Sequence, residues 1–120
     1  PRPNACYVET IIGQVEGRNL VIVDDMVDTA GSLVGASNKL KELGAKSIIA
    51  VVSHGLLSAN AIERIENSPI TELMITDTIP IRKENYENIT DKIKVVSCAE
   101  MFGEAIKRIH LEQSISSLFL

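Results

Sequence analysis

Residues 20–36 read LVIVDDMVDTAGSLVGA: an apolar run, a pair of acids, and a loop of small residues leading into a helix start. Leu20 to Val23 is rich in β-branched residues and too short for a helix, so it reads as a strand buried on both faces, as in the parallel sheet of an α/β fold. Asp24 and Asp25 follow where that strand is expected to end. Ligands of parallel sheets gather outside the carboxyl ends of the strands, which places both acids for chemistry. Asp28, Thr29, Ala30, Gly31 and Ser32 form the loop. Leu33, Ala36, Leu40 and Leu43 then recur at helical spacing, so a helix is expected from near Ser32. Its first-turn N–H groups have no intrahelical partners, and its dipole adds about 0.3–1 kcal/mol for an anion, which makes a phosphate seat. Gly31 lets backbone approach a ligand closely, and the Thr29 and Ser32 hydroxyls are donors for phosphate oxygens.

Asp24, Asp25 and Asp28 stand within five positions. Each would repel a bare phosphate at 4 Å by about 1 kcal/mol in water and about 4 kcal/mol at an effective dielectric of 20. A fitting ligand must therefore carry groups that acids bind. Sugar hydroxyls donate to carboxylates, and magnesium is held through one or two carboxylates plus substrate oxygens, so a phosphorylated sugar with a divalent cation resolves the conflict.

VIVDDMVDTAGS, residues 21–32, resembles the phosphoribosyl-pyrophosphate-binding signature shared by type I phosphoribosyltransferases and ribose-phosphate pyrophosphokinases. The resemblance implies a three-layer, parallel-sheet, phosphoribosyltransferase-like (Rossmann-like) domain. It implies that Asp24 and Asp25 face the ribose hydroxyls, with magnesium at these acids directly or through the substrate, and that Asp28 to Ser32 hold the 5-phosphate. SHGLLSANAIERI, residues 53–65, again resembles the pyrophosphokinases. So does the tail SISSLFL, residues 114–120, which is similar to their C-terminal Ser-Val-Ser-Tyr-Leu-Phe. That likeness implies an allosteric phosphate or nucleotide site between subunits of a hexamer, with Ser114, Ser116 and Phe119 in it. Ser117 stands where an aromatic residue is usual, and Ile115 replaces valine.

The resemblance runs over nearly all of the 120 residues and corresponds to the C-terminal part of such an enzyme. It implies transfer of the β,γ-diphosphoryl group of ATP to ribose 5-phosphate, giving phosphoribosyl pyrophosphate and AMP, with magnesium. Residues 1–120 are accordingly expected to be one domain from a longer two-domain enzyme, the chain opening on Pro1 without the basic run that precedes Pro-Arg-Pro in that family. Catalytic cations and most of the adenine pocket are expected upstream, so no catalytic residue is assigned within this chain.

Composition sets outer limits. A chain of 120 residues holds one core. Hydrophobic residues at 45% and charged residues at 23% suit a globular α/β domain. Twelve basic against sixteen acidic residues, a net charge of −4, carry no footprint for nucleic acid or an anionic membrane. Cys6 and Cys98 lie far apart without metal spacing and read as reduced thiols, which points to the cytoplasm. No apolar stretch reaches membrane-spanning length.

Other segments repeat the strand-then-helix pattern. Tyr7 to Val15 reads as a short strand entering a hairpin-like connection. Gly44 ends the first helix, and Ser47 to Val52 is a second buried strand whose following loop, Ser53 to Leu57, should wall the phosphate seat. His54 has the chemistry of an acid, base or donor, but nothing pairs it with a second catalytic group, so a structural hydrogen bond is the favoured reading. Ser58 is expected to cap a helix to about Asn67, with Ala61, Ile62 and Ile65 inward. Glu72 to Thr76 is a third strand. Asp77 and Thr78 follow as turn caps within reach of substrate, and residues 81–91 read as a surface loop. Ile93 to Val96 is a fourth strand. Ser97 and Glu100 fit a capping box, and Met101, Phe102, Ala105, Ile106 and Ile109 are spaced as the core side of a last helix ending near His110.

Three other functions compete. A nucleobase phosphoribosyltransferase would use the same loop but needs a base-recognising hood, and nothing after residue 90 resembles one. A non-catalytic pyrophosphokinase-associated regulatory subunit fits poorly with an intact Asp-Thr-Ala-Gly loop. A phosphoacceptor receiver domain needs a further aspartate where this sequence has Ser53 and His54.

Overall fold

The computed structural model describes residues 11–119. Four strands, β1 (Asn19–Val27), β2 (Ser47–Gly55), β3 (Glu72–Thr76) and β4 (Ile93–Val96), form one sheet in the order β1-β2-β3-β4, and every neighbouring pair is parallel. Helix α1 (Gly31–Glu42) joins β1 to β2, and α2 (Ala61–Glu66) joins β2 to β3. A 3₁₀ turn (Lys83–Asn85) precedes β4, and α3 (Ala99–His110) with a second 3₁₀ turn (Ser116–Phe119) follows it. The α/β class, the parallel sheet and the helix start beside Ser32 are as expected. Residues 11–15 form no strand, although Val15 is buried in the core, while Pro1 to Thr10, including Cys6, lie outside the described residues.

Register sorts the side chains by face. Ile22, Ala50, Leu73 and Ile93 lie in line across the four strands, as do Val52 and Ile75 across the middle pair. Ile48, Ala50, Val52, Leu73 and Ile75 are all buried, and α1 adds Leu33 to the same core while α2 adds Ala61, Ile62 and Ile65. The opposite face is open among the described residues, with Val21 61% and Val23 77% exposed. Leu20 to Val23 is therefore not buried on both faces, because both α1 and α2 pack on the one side. Strand β1 also runs four residues past Val23, since pairing with β2 continues through Asp24↔Val52, Met26↔His54 and Val27↔Gly55. Asp24, Asp25 and His54 thus lie within strands, near their carboxyl ends.

Helix α3 departs furthest from expectation. None of its residues is buried, and Met101, Phe102, Ile106 and Ile109, read as core, are exposed. Helical spacing correctly marks an apolar side, but no described element packs on it. The capping box does not form either: the N-cap is Cys98, which makes no side-chain cap bond, and Ser97 Oγ accepts only the Ala99 N–H at 3.2 Å. Ser97 Oγ instead donates to Asp77 at 2.5 Å, and the Cys98 N–H donates to the same carboxylate at 2.7 Å. The Cys98 N–H and then the Ser97 hydroxyl hold the Asp77 carboxyl below its ordinary range. Asp77 therefore braces the start of α3 rather than its own turn.

Two side chains, Asn85 and Lys92, fix the connections through long-range hydrogen bonds. Residues 81–91 are not simply a surface loop, because Asn85 is buried and its amide donates to the Leu57 carbonyl at 2.9 Å. Lys92 Nζ donates to the carbonyls of Ile65 and Glu66 at 2.9 Å and of Ser68 at 3.2 Å, closing the C-terminal end of α2. A cation on orphan helix carbonyls suits the dipole, so Lys92→Met, which keeps the apolar stem, should cost about 1–2 kcal/mol. Urea unfolding checks this, and an unchanged midpoint would mean that water replaces the ammonium without loss.

Candidate functional site

A cavity of about 230 Å³ is lined by residues 24–33, from the acidic pair to the first turn of α1. Every residue expected at the sugar-phosphate site lies on its wall: Asp24, Asp25, Asp28, Thr29, Ala30, Gly31 and Ser32. Asp24 and Asp25 are exposed, and Asp24 Oδ1 accepts the Asp25 N–H at 2.8 Å. Ser32 is exposed as well, and α1 opens with no side-chain cap and no acid in its first turn. The first intrahelical bond runs from Val34 N–H to the Ala30 carbonyl at 3.0 Å. The free N–H groups before it are what an anion uses at a helix N-terminus.

The left-handed residue of this loop is not the glycine. Ala30 has φ 63° and ψ 8°, while Gly31 has no such φ and begins α1. A Cβ at Gly31 would make only ordinary contacts within the protein, with Thr29 Oγ1 at 3.8 Å and Arg64 Nη1 at 4.0 Å.

The segment after β2 braces the loop. Leu56 N–H and Leu57 N–H donate to the Val27 carbonyl at 2.9 and 3.3 Å, and Ser58 N–H donates to the Asp28 carbonyl at 3.0 Å. Ser58 Oγ also donates to Asp28 Oδ1. Ser58 therefore holds Asp28 rather than capping α2, whose N-cap is Asn60. Asp28 faces a hydroxyl as well as the cavity, so part of its role is to hold the loop. Arg64 of α2 donates from Nη1 to the Thr29 carbonyl at 2.8 Å. No lysine or arginine lies between Leu20 and Asn38 in sequence, yet the fold delivers a guanidinium to the loop from 35 residues away. His54 Nδ1 lies 2.7 Å from Thr78 Oγ1, which lies 3.3 Å from the Ser53 carbonyl. That pairing agrees with the structural reading of His54.

A family model described as phosphoribosyl synthetase-associated domain matches residues 5–120. The chain belongs to this family. Among curated relatives, ribose-phosphate pyrophosphokinase of Clostridium acetobutylicum is 49% identical over 119 residues, covering 99% of this chain and 36% of the relative. The enzyme of the same name from Aquifex aeolicus is 46% identical, covering 99% of this chain and 37% of the relative. A crystal structure of phosphoribosylpyrophosphate synthetase from Mycobacterium smegmatis superposes with a TM-score of 0.79 at 33% identity, covering 84% of this chain and 33% of that one. The chain thus spans about a third of the length of these relatives. Family membership agrees with the resemblance carried by residues 21–32 and 53–65.

The tail lies apart from the cavity in sequence and has its own polar contacts. Arg108 Nε bonds Glu104 at 2.8 Å, and Arg108 Nη1 donates to Ser117 Oγ at 2.6 Å and to the Ser114 carbonyl at 3.3 Å. Arg108 holds the Glu104 carboxyl below its ordinary range. Ser114 Oγ donates to Ser116 Oγ at 3.2 Å, and Phe119 is 73% exposed. Among the described residues no cluster of three or more His, Cys, Asp or Glu is arranged to hold a metal, and no helix is long and apolar enough to cross a membrane.

Proposed function

We propose that this chain is the ribose 5-phosphate-binding C-terminal domain of a ribose-phosphate pyrophosphokinase. The reaction moves the β,γ-diphosphoryl group of ATP to the anomeric hydroxyl of ribose 5-phosphate, giving phosphoribosyl pyrophosphate and AMP. The observation that carries the reading is one cavity walled at one end by exposed Asp24 and Asp25 and at the other by the uncapped start of α1. Carboxylates accept from the ribose hydroxyls, while the amides after Ala30 and the Thr29 and Ser32 hydroxyls donate to the 5-phosphate. The names of the relatives, ribose-phosphate pyrophosphokinase and phosphoribosylpyrophosphate synthetase, support a ribose phosphate as substrate.

Magnesium fits this wall. Asp24 and Asp25 offer hard oxygen donors without a closed protein cage, which suits an ion that keeps several waters and shares substrate oxygens. When bound, the ion would neutralise phosphate charge beside the two acids. The serines of the tail, Ser114 and Ser116, with Phe119, are the proposed site of a phosphate or nucleotide effector in a cytoplasmic homo-oligomer, a hexamer. Arg108 is the nearby cation.

Asp24→Asn and Asp25→Asn each remove one charge at nearly constant shape. Each should weaken ribose 5-phosphate binding about tenfold or remove its dependence on magnesium, the scale of one hydrogen bond to a charged group. Titration calorimetry with and without magnesium decides this, and unchanged affinities in both variants would remove the acids from the site.

A further inference from the structure

The strongest unassigned contact is the one that Arg64 makes with the loop. A trans peptide is planar, with its C=O and N–H pointing in opposite directions. Drawing the Thr29 carbonyl toward α2, at 2.8 Å from Arg64 Nη1, therefore turns the Ala30 N–H the other way. Among the described residues that N–H donates to no protein acceptor. The same peptide enters Ala30, whose φ of 63° is one that an alanine adopts only under constraint. Ala30 is also almost fully buried, at 4% exposure. Nothing within the loop explains why an alanine holds this conformation, whereas a guanidinium pinning the preceding carbonyl does. The Ser58 hydroxyl on Asp28 fixes the loop one residue earlier from the same segment.

We infer that Arg64 is a positioning residue for the phosphate seat, acting through the Thr29 carbonyl to hold Ala30 left-handed and the first amides of α1 ready for the anion. The inference rests on the ribose 5-phosphate reading above. It also makes α2 part of the binding unit: whatever displaces this short helix loosens the seat. Arg64 is exposed and lies outside the hydrophobic core, so its removal should leave the fold standing.

The test measures ribose 5-phosphate and ribose binding by calorimetry on the whole chain. The variants are Arg64→Ala and Arg64→Met, the latter keeping an aliphatic stem, each alone and combined with Ala30→Gly. Thermal unfolding is followed alongside as a fold control. Removing Arg64 should weaken ribose 5-phosphate binding about tenfold, the scale of a hydrogen bond from a charged donor, and leave ribose binding unchanged. In the Ala30→Gly background the loss should shrink to about threefold or less, because glycine reaches positive φ without help. An equal loss in both backgrounds would mean that Arg64 acts by its charge alone and would overturn the inference, as would no loss at all. A parent chain that fails to bind ribose 5-phosphate overturns the functional reading itself. Parent binding with an indifferent Arg64 overturns only this inference.

Discussion

Gly31→Val is expected to weaken ribose 5-phosphate binding by about a hundredfold, roughly 2.7 kcal/mol, while the chain still unfolds cooperatively near the parent temperature. Two features of the same position separate these effects. In the free chain a Cβ at Gly31 would meet nothing closer than Thr29 Oγ1 at 3.8 Å, which is ordinary contact, and no positive φ demands glycine there. The fold therefore tolerates the side chain apart from the modest reluctance of a branched residue in a helix. On the proposed reading the seat does not tolerate it, because the amides of the first turn would have to approach the phosphate with a valine beside them. Calorimetry and a thermal melt on the same sample read both quantities. A valine variant that binds as the parent does would show that phosphate lies elsewhere.

Gly55→Ala should destabilise the chain by about 2–3 kcal/mol, the cost of overpacking a filled core. Its Cβ would lie 2.6 Å from Ile75 Cδ1, 3.1 Å from Cγ2 and 3.2 Å from Cβ. The terminal methyl can swing, but the branched part of Ile75 is held by a side chain only 1% exposed, so the strand ends must part. Gly55 pairs with Val27 and is followed by the Leu56 and Leu57 amides that bond the Val27 carbonyl. The damage should therefore reach the phosphate loop, with weaker sugar-phosphate binding as a second consequence. Urea unfolding would show the midpoint fall, and an unchanged midpoint would mean that the sheet yields at this corner at no cost.

Short apolar runs bounded by turn residues made β3 and β4 readable to the residue, and Gly44 together with the spacing from Leu33 placed α1 to within about two residues at each end. The loop from Asp28 to Ser32 was readable as the entry to α1 because its residues are local and contiguous. What sequence could not disclose was set by partners distant along the chain. Strand β1 continues through Asp24 and Asp25 because β2 keeps pairing with it, and backbone pairing ignores side-chain polarity. Ser58 and Ser97 carry helix-cap signatures but bond Asp28 and Asp77, which lie 30 and 20 residues away. The spacing in α3 marks an apolar side without saying what meets it. Arg64 was visible in SHGLLSANAIERI, but only folding brings it to Thr29.

The central claim is that ribose 5-phosphate sits between Asp24 and the start of α1. Amide chemical shifts of the isotope-labelled chain, followed as ribose 5-phosphate is added with magnesium present, test it most directly. The account predicts the largest shifts at Ala30, Gly31, Ser32 and Leu33, smaller ones at Asp24 and Asp25, and little change at residues 114–119. Ribose alone should move the acids but not the helix start. Saturable shifts centred on the tail, or none in residues 24–33 at ligand concentrations that saturate the chain, would contradict it.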